Sequence, residues 1–503
     1  MPNFPDQLLS RFSELVASEM GLHFPRERWP DLEKGIRSVA GDFGAPDGET
    51  CLRQILSKPL ARAEIEILAS ALTVGETYFF REKRSFEILS ERVLPPLIAA
   101  RQASGRQLRI WSAGCCTGEE PYSIAIWLHR SLVEASQWHI TILGTDINPR
   151  FLQKAAAGIF SDWSFRDAPP WLKQRYFKPI GQHRFEILPQ IRQMVTFEYL
   201  NLAEDVYPSL FNNTNGMDLI FCRNVLMYFS PERARKVIDG FHHALVNCGW
   251  LFVSAVEASA ELFSQFLPEH SGDAVLYRKM ERPSPGSTTS VRLETEDAPN
   301  SRDDTGSLAP LPVFPQDDLP ERSTPAPLAA EGPPPNKQRT PLEEALALFE
   351  QGHYAEAVTK LEGCSQFERT PGISALVARA CANSGKLAEA REWAEKAISS
   401  DKLNAALHYL RATILQEQGE IEESVAAFKR ALYLEPDFVL AHFALGNHAS
   451  RKGNSKEADK HFTNAMNLLA PYQPDTLLPH SDGLVAGRLR ALIESTHLAS
   501  RAK

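Results

Sequence analysis

The chain has 503 residues, 43% apolar and 23% charged, which suits a soluble globular protein of three or four domains and excludes wholesale disorder. Against 54 lysines and arginines stand 63 aspartates and glutamates, a formal charge of −9, so no global basic surface exists for a nucleic-acid partner. No run approaches the roughly 18 apolar residues of a membrane span, and the opening Met1-Pro2-Asn3-Phe4-Pro5-Asp6 lacks the basic and apolar regions of a secretory signal. Seven cysteines with no C-x-x-C spacing offer neither a disulfide framework nor a metal site. These features predict a reduced, cytoplasmic protein without membrane insertion.

Residues 1–75 carry helical apolar spacing (Leu8, Leu9, Phe12, Leu15, Val16; Ile65, Ile67, Leu68, Ala71, Leu72) and predict a small all-α domain. From Arg109 the pattern becomes short buried runs alternating with amphipathic helices. The run RIWSAG precedes a helix from Glu119 to Leu132. HITILGTDI precedes one from Pro149 to Ala157. MDLIFCRNVLMYF precedes one from Pro231 to Asn247, and GWLFVSAVE follows as a strand. This alternation predicts a doubly wound, Rossmann-like α/β domain over 76–281. Between 175 and 202, short β-like runs without helices predict a small antiparallel insertion.

Residues 282–340 are dominated by Pro, Ser, Asp and Gly and predict a disordered linker. A flexible coil of this length spans roughly 40–45 Å and would let its two sides move independently. Beyond it, over 341–475, Gly352, Gly385, Gly419 and Gly453 recur at steps of 33, 34 and 34 residues. Small residues keep phase with them: Ala357, Ala390, Ser424 and Ala458 five positions on, and Cys364, Ala397, Ala431 and Ala465 twelve positions on. The period and phase are those of the tetratricopeptide repeat, a helix–turn–helix solenoid that presents a concave surface to protein or peptide ligands. Residues 476–503 read as a C-terminal helix or tail.

The chemistry-bearing segment is Ser112-Ala113-Gly114-Cys115-Cys116-Thr117-Gly118-Glu119-Glu120, at a strand-to-helix turn. Small residues there let a ligand approach the backbone. The glycine spacing is not that of a phosphate loop and no lysine is present, while two glutamates at the helix start suit a cationic group. Asp146, ending the next buried run, stands where such sheets hold ribose hydroxyls, although it could also cap the helix opened by Pro149. A nucleoside with a positively charged, phosphate-free tail fits both features, and S-adenosylmethionine is such a molecule.

The run WSAGCCTGEEPYSIA resembles the cofactor motif of the CheR family of chemotaxis receptor methyltransferases, which esterify receptor glutamates. Thr77-Tyr78-Phe79-Phe80-Arg81-Glu82 and Phe221-Cys222-Arg223-Asn224-Val225-Leu226-Met227-Tyr228-Phe229 agree with it. The resemblance spans residues 5–280, and the full chain resembles the subgroup with a C-terminal repeat domain. It implies that Thr77 and Arg81 reach the cofactor or the methyl-transfer site and that Gly114 opens the cofactor turn. It places Glu119 or Glu120 at the methionine amino end, Asp146 at the ribose and Asn201-Leu202 at the adenine. Arg223, Asn224 and Tyr228 close the pocket, with Arg81 and Tyr228 as the catalytic pair and no metal. One departure is visible: relatives carry an asparagine two residues before the threonine, where this chain has Gly75.

The implied activity is methyl transfer from S-adenosylmethionine to glutamates in the cytoplasmic domain of a methyl-accepting chemoreceptor, at receptor arrays, with the repeats docking an unidentified protein or peptide. Two alternatives are a non-catalytic cofactor-binding signalling scaffold and a methyltransferase for small molecules or nucleic acid, the last disfavoured by the acidic balance. The resemblance also implies that the receptor's C-terminal peptide adds a strand to the β insertion in relatives whose insertion has a longer, glycine-containing loop. Here Lys178–Phe185 is shorter and keeps only Gly181, which predicts methylation independent of that peptide.

Overall fold

A computed structural model describes residues 4–103, 106–132, 137–204, 206–271, 274–279, 340–362, 371–481 and 484–501. The proposed linker up to residue 339, and Cys364 of the repeat pattern, lie outside the described residues. Helices Asp6–Met20, Trp29–Val39, Gly48–Ile55 and Arg62–Leu72 build the N-terminal domain around Phe12, Leu32, Leu52 and Leu68, all essentially fully buried.

The central sheet has seven strands. Numbered along the chain, the strands are β1 (Gln107–Ala113), β2 (His139–Asp146), β3 (Ile159–Ser161), β4 (Phe177–Gly181), β5 (Arg184–Ile187), β6 (Val195–Tyr199), β7 (Met217–Phe221), β8 (Leu245–Phe252), β9 (Phe266–Ser271) and β10 (Ala274–Lys279). The order is β6-β2-β1-β7-β8-β10-β9, parallel from β6 through β8 and antiparallel at β10 and β9. Strand order reverses at β1, between β2 and β7. A crevice therefore opens at the carboxyl ends of these strands, where open α/β sheets bind ligands. Near-continuous burial of β1 and β7 follows from helices covering both faces.

The second sheet, β3-β5-β4, is the antiparallel insertion. It begins earlier than the sequence suggested, at Ile159, and Val195–Tyr199 is not part of it. Those residues pair in parallel with Ile142–Asp146 at the edge of the main sheet. A short run of alternating side chains looks the same in either sheet, and only its partner decides.

The repeats form four helix pairs, Pro341–Glu350 with Tyr354–Glu362, Pro371–Asn383 with Leu387–Ser400, Ala405–Glu417 with Ile421–Leu434, and Val439–Arg451 with Ser455–Leu469, followed by a helix at Ala486–Arg501. Ala357, Ala390, Ala458, Ala397, Ala431 and Ala465 are fully buried between paired helices. Gly446 shows why the position must be small: a Cβ there would lie 2.6 Å from the Phe462 ring.

The expectation that the two sides of the linker move independently is not met. The α/β domain and the repeats form one compact unit. Three of the turn glycines rest directly on the α/β domain. A Cβ on Gly352 would lie 2.4 Å from His243, one on Gly385 2.7 Å from Val246, and one on Gly419 2.7 Å from His139. Leu210 is buried in the apolar cluster of the first repeats, and Phe211 stacks on Phe443 at 5.5 Å between centroids. At the centre, buried Arg109 of β1 faces buried Glu417 at 3.6 Å, while Asn215 Nδ2 donates to Glu417 Oε2 (3.1 Å) and to the Ala382 carbonyl (3.2 Å). Burial pushes the Glu417 carboxyl above its usual range, opposed by Arg109 and the Asn215 bond.

Because a buried charge stripped of its partner is costly, Glu417→Ala should lower unfolding stability by roughly 3–5 kcal/mol. Removal of both charges as Arg109→Met with Glu417→Leu should cost much less. Urea midpoints at constant slope measure both.

Candidate cofactor and methyl-transfer site

One cavity gathers the carboxyl ends of four parallel strands: Gly114–Cys116 after β1, Asp146 at the end of β2, Leu200–Leu202 after β6 and Arg223–Val225 after β7. The N-terminal domain and the Thr73–Arg81 connection close its outer side with Met20, His23, Arg28, Thr77 and Arg81. Ten of the eleven residues named from sequence line it: Thr77, Arg81, Gly114, Glu120, Asp146, Asn201, Leu202, Arg223, Asn224 and Tyr228.

Glu119 is the exception. Buried, it accepts from Thr117 Oγ1 (2.7 Å) and Ser164 Oγ (2.8 Å), anchoring the helix start to the region before the insertion. Its neighbour one helical step on, Glu120, faces the cavity, accepts from Ser112 Oγ (2.8 Å) and pairs with Arg223 Nη1 (3.1 Å). Successive helical residues point about 100° apart, so only one of the pair can face the ligand side. Burial raises the Glu120 carboxyl pKa, offset by Arg223 and Ser112.

Asp146 is held from two sides. Its Oδ1 accepts from the Asn148 amide (2.8 Å) and its Oδ2 from the Cys116 amide (2.9 Å). It is not the helix cap. Asn148 takes that role, its Oδ1 accepting from the amides of Arg150 (2.9 Å) and Phe151 (3.3 Å) ahead of Pro149. Burial raises Asp146 to about 6, while the three nearby amides of Asn148, Cys116 and Ile147 pull it down.

The turn after β1 is tight. Gly114 has φ 77°, and a Cβ there would lie 2.4 Å from Val225; Cys116 and Asn224 also adopt left-handed φ of 50° and 59°. Strained non-glycine residues gather where a ligand fixes the backbone. Cys115 and Cys116 are small buried residues of the turn, and burial pushes the Cys116 thiol up to about 12. A Cβ at Gly75 would lie 2.7 Å from the tip of the Phe151 ring, so a larger residue there would have to displace that ring.

Arg223 organises the remainder. Its side chain is 2% exposed, with Nη1 on Glu120 and Nη2 3.2 Å from Glu82, and Nη2 also donates to the Arg81 carbonyl. Arg81 lies at the cavity wall with Nη1 donating to the Glu76 carbonyl (2.6 Å); among the described residues no carboxylate pairs with it. Tyr228 packs under the Arg28 guanidinium at 5.8 Å. Asn201 Nδ2 donates to the Glu19 carbonyl (2.7 Å) and its Oδ1 accepts from the Ala203 amide (3.0 Å).

Sequence reasoning missed Glu257. Buried, it accepts from the amides of Asn224 and Val225 (2.7 Å each) and from Ser254 Oγ (2.6 Å), and so fixes the loop that carries Tyr228. The Ser254-x-x-Glu257 spacing of a capping box was its available signal. His23 and Arg28 had none. Their place at the cavity comes from a bridge between Leu22 and Phe229 and from the His23 amide donating to the Tyr228 carbonyl (2.7 Å).

Residues 75–269 match the model of the CheR methyltransferase SAM-binding domain, and residues 342–405 and 412–453 match tetratricopeptide-repeat models. Chemotaxis protein methyltransferase 1 of Pseudomonas aeruginosa is 37% identical over 217 residues, 42% of this chain and 77% of its own length. The chain belongs to the CheR methyltransferase family. A probable biofilm formation methyltransferase, WspC, from the same organism is 26% identical over 454 residues, 88% of this chain and 96% of its own. The chain spans only 26% of an uncharacterized 104.1 kDa Rhodobacter capsulatus protein, with 32% identity over 263 residues. A crystal structure of MamA covers 25% of this chain and 75% of its own at 19% identity and a TM-score of 0.24, too low to support a shared fold. No helix among the described residues is long and apolar enough to cross a membrane.

The cofactor of this family domain is S-adenosylmethionine, and the cavity fits it chemically. Asp146 would offer a carboxylate to two hydroxyls, and Glu120 an acid beside the helix start. The Nε of Arg223 is buried without a hydrogen-bond partner.

The charge of Asp146 sets a pH signature. If ribose hydroxyls donate to the ionised carboxylate, affinity for S-adenosylhomocysteine should be constant above about pH 7 and fall as pH drops through the Asp146 value near 6. Asp146→Asn should flatten that dependence, and Asp146→Ala should cost roughly 1.5–3 kcal/mol at pH 8. Calorimetric titrations across pH measure both.

Proposed function

We propose that this methyltransferase esterifies glutamate side chains in the cytoplasmic domain of a methyl-accepting chemoreceptor and so tunes a chemosensory or surface-sensing pathway. The supporting observation is the contrast between two cavity arginines. Arg223 is paired with both Glu120 and Glu82, whereas Arg81 has no carboxylate partner among the described residues. A substrate carboxylate is the complement that Arg81 lacks. The names of the chemotaxis protein methyltransferases of Pseudomonas aeruginosa and Vibrio cholerae agree with a substrate in chemosensory signalling.

S-adenosylmethionine supplies the methyl group, with a carbon–oxygen bond formed on the glutamate and the carbon–sulfur bond broken to leave a neutral thioether. The protein's own residues bind and aim. Asp146 with the Gly114–Cys116 turn holds the nucleoside side, Asn201 and Leu202 wall the adenine, and Thr77 with Glu120 faces the methionine end. Arg81 orients the acceptor carboxylate by charge-assisted hydrogen bonds. Tyr228 lines the acceptor channel, and buried Phe86 beneath Arg223 excludes water. A carboxylate is a nucleophile at neutral pH, so no general base is required, and alignment supplies most of the rate.

We assign protein docking to the repeats, on the face that Leu210 and Phe211 leave unfilled, where Ala375, Arg379, Leu407 and Tyr409 border a second cavity. A place beside receptor arrays follows from this reading.

Arg81→Ala should cut turnover far more than it weakens S-adenosylhomocysteine binding, with paired rate and calorimetric measurements on one preparation. Equal losses would make Arg81 a cofactor residue. The product should be a base-labile ester, read as tritiated methanol released by alkali from receptor membranes; a base-stable methyl group would defeat the glutamate assignment.

In the insertion, β4 and β5 are joined by only Gln182-His183, and edge strand β4 carries Pro179, which has no amide to donate. Deletion of the receptor's C-terminal tail should leave methylation unchanged. A lost rate would return the tether to the insertion.

A further inference from the structure

The run after β6 forms one wall of the cavity with Leu200, Asn201 and Leu202, and two residues later Glu204 leaves the cavity and meets the C-terminal helix. There it pairs with Arg488, whose side chain is only 10% exposed. The Arg488 carbonyl accepts from Arg62 Nη1 (3.4 Å), and the Arg62 guanidinium lies over the Tyr199 ring at 4.1 Å. Arg62 begins the helix whose far end, Leu72-Thr73, borders the same cavity. Two elements of the cavity wall, 426 and 284 residues distant in sequence from Arg488, therefore converge on this one residue beyond the repeats.

We propose that Arg488 is a positioning residue of the cofactor site, holding the Leu200–Glu204 wall through its ion pair with Glu204. The C-terminal helix is then a working part of the methyltransferase and not an accessory to the repeats. The inference rests on the reading of this cavity as the cofactor site. Loosening the wall exposes the adenine side without touching the Arg81 side, so affinity should change while the chemical step does not.

The test uses the full chain and S-adenosylhomocysteine as calorimetric probe, with turnover at saturating cofactor as second readout. Arg488→Ala should weaken binding about fivefold, within the range shown by coupled neighbours, and leave saturated turnover unchanged. Arg488→Lys should recover most of the affinity. Exchange of the charges, Arg488→Glu with Glu204→Arg, should bind better than either single change, a rescue that a general packing role would not give. Should Arg488→Ala fold poorly by circular dichroism, the milder Glu204→Gln carries the same expectation. Unchanged affinity in Arg488→Ala, or an exchanged pair no better than its singles, overturns the proposal. Asp146→Ala measured alongside separates the two readings. If it weakens binding and Arg488→Ala does not, the positioning role alone fails; if neither does, the cavity assignment fails with it.

Discussion

The buried guanidinium of Arg223 is the interaction on which the cavity depends. One cation, removed from water at the carboxyl end of β7, balances Glu120 from the helix after β1 and Glu82 from the segment before the sheet. Burial raises the Glu120 carboxyl even with its partner present, so the Arg223 charge is what opposes its protonation there. The same guanidinium donates to the Arg81 carbonyl, so the charge that fixes the cavity floor also fixes the backbone of the residue assigned to the acceptor. Arg223 takes up both of these carboxylates, and among the described residues Arg81 pairs with none.

The second organising feature is the mounting of the repeats. Their turns are pressed against the α/β domain at glycines, because only a residue without Cβ permits approach within the distances found at His243, Val246 and His139. The polar centre of that contact, Arg109 with Glu417 and Asn215, sits near the amino end of β1, and the cofactor turn begins at its carboxyl end with Gly114. A strand of this length spans about 20 Å. One rigid element therefore joins the surface carrying the repeats to the turn facing the ligand. Occupation of part of the repeat surface by Leu210 and Phe211 makes the solenoid a structural neighbour of the enzyme.

The sequence alone determined much. Alternating buried runs and helices defined the α/β domain, because each strand covered on both faces must be apolar throughout. The 33–34-residue phase of small residues defined the solenoid, because paired helices approach closely only over alanine and glycine. The turn after β1 and Asp146 pointed to a phosphate-free nucleoside, since residue type and spacing encode local chemistry. Tertiary structure alone decided the rest. It turned Glu120 to the cavity and Glu119 away from it, through helical rotation and the hydroxyls of Thr117 and Ser164. It moved Val195–Tyr199 into the main sheet, through pairing with β2. It brought His23 and Arg28 to the cavity, set Glu257 behind the Asn224–Val225 loop and Arg488 behind Glu204, and docked the repeats on the catalytic domain. These outcomes arise from contacts between residues far apart in the chain, and such contacts leave no period or motif in the sequence on either side.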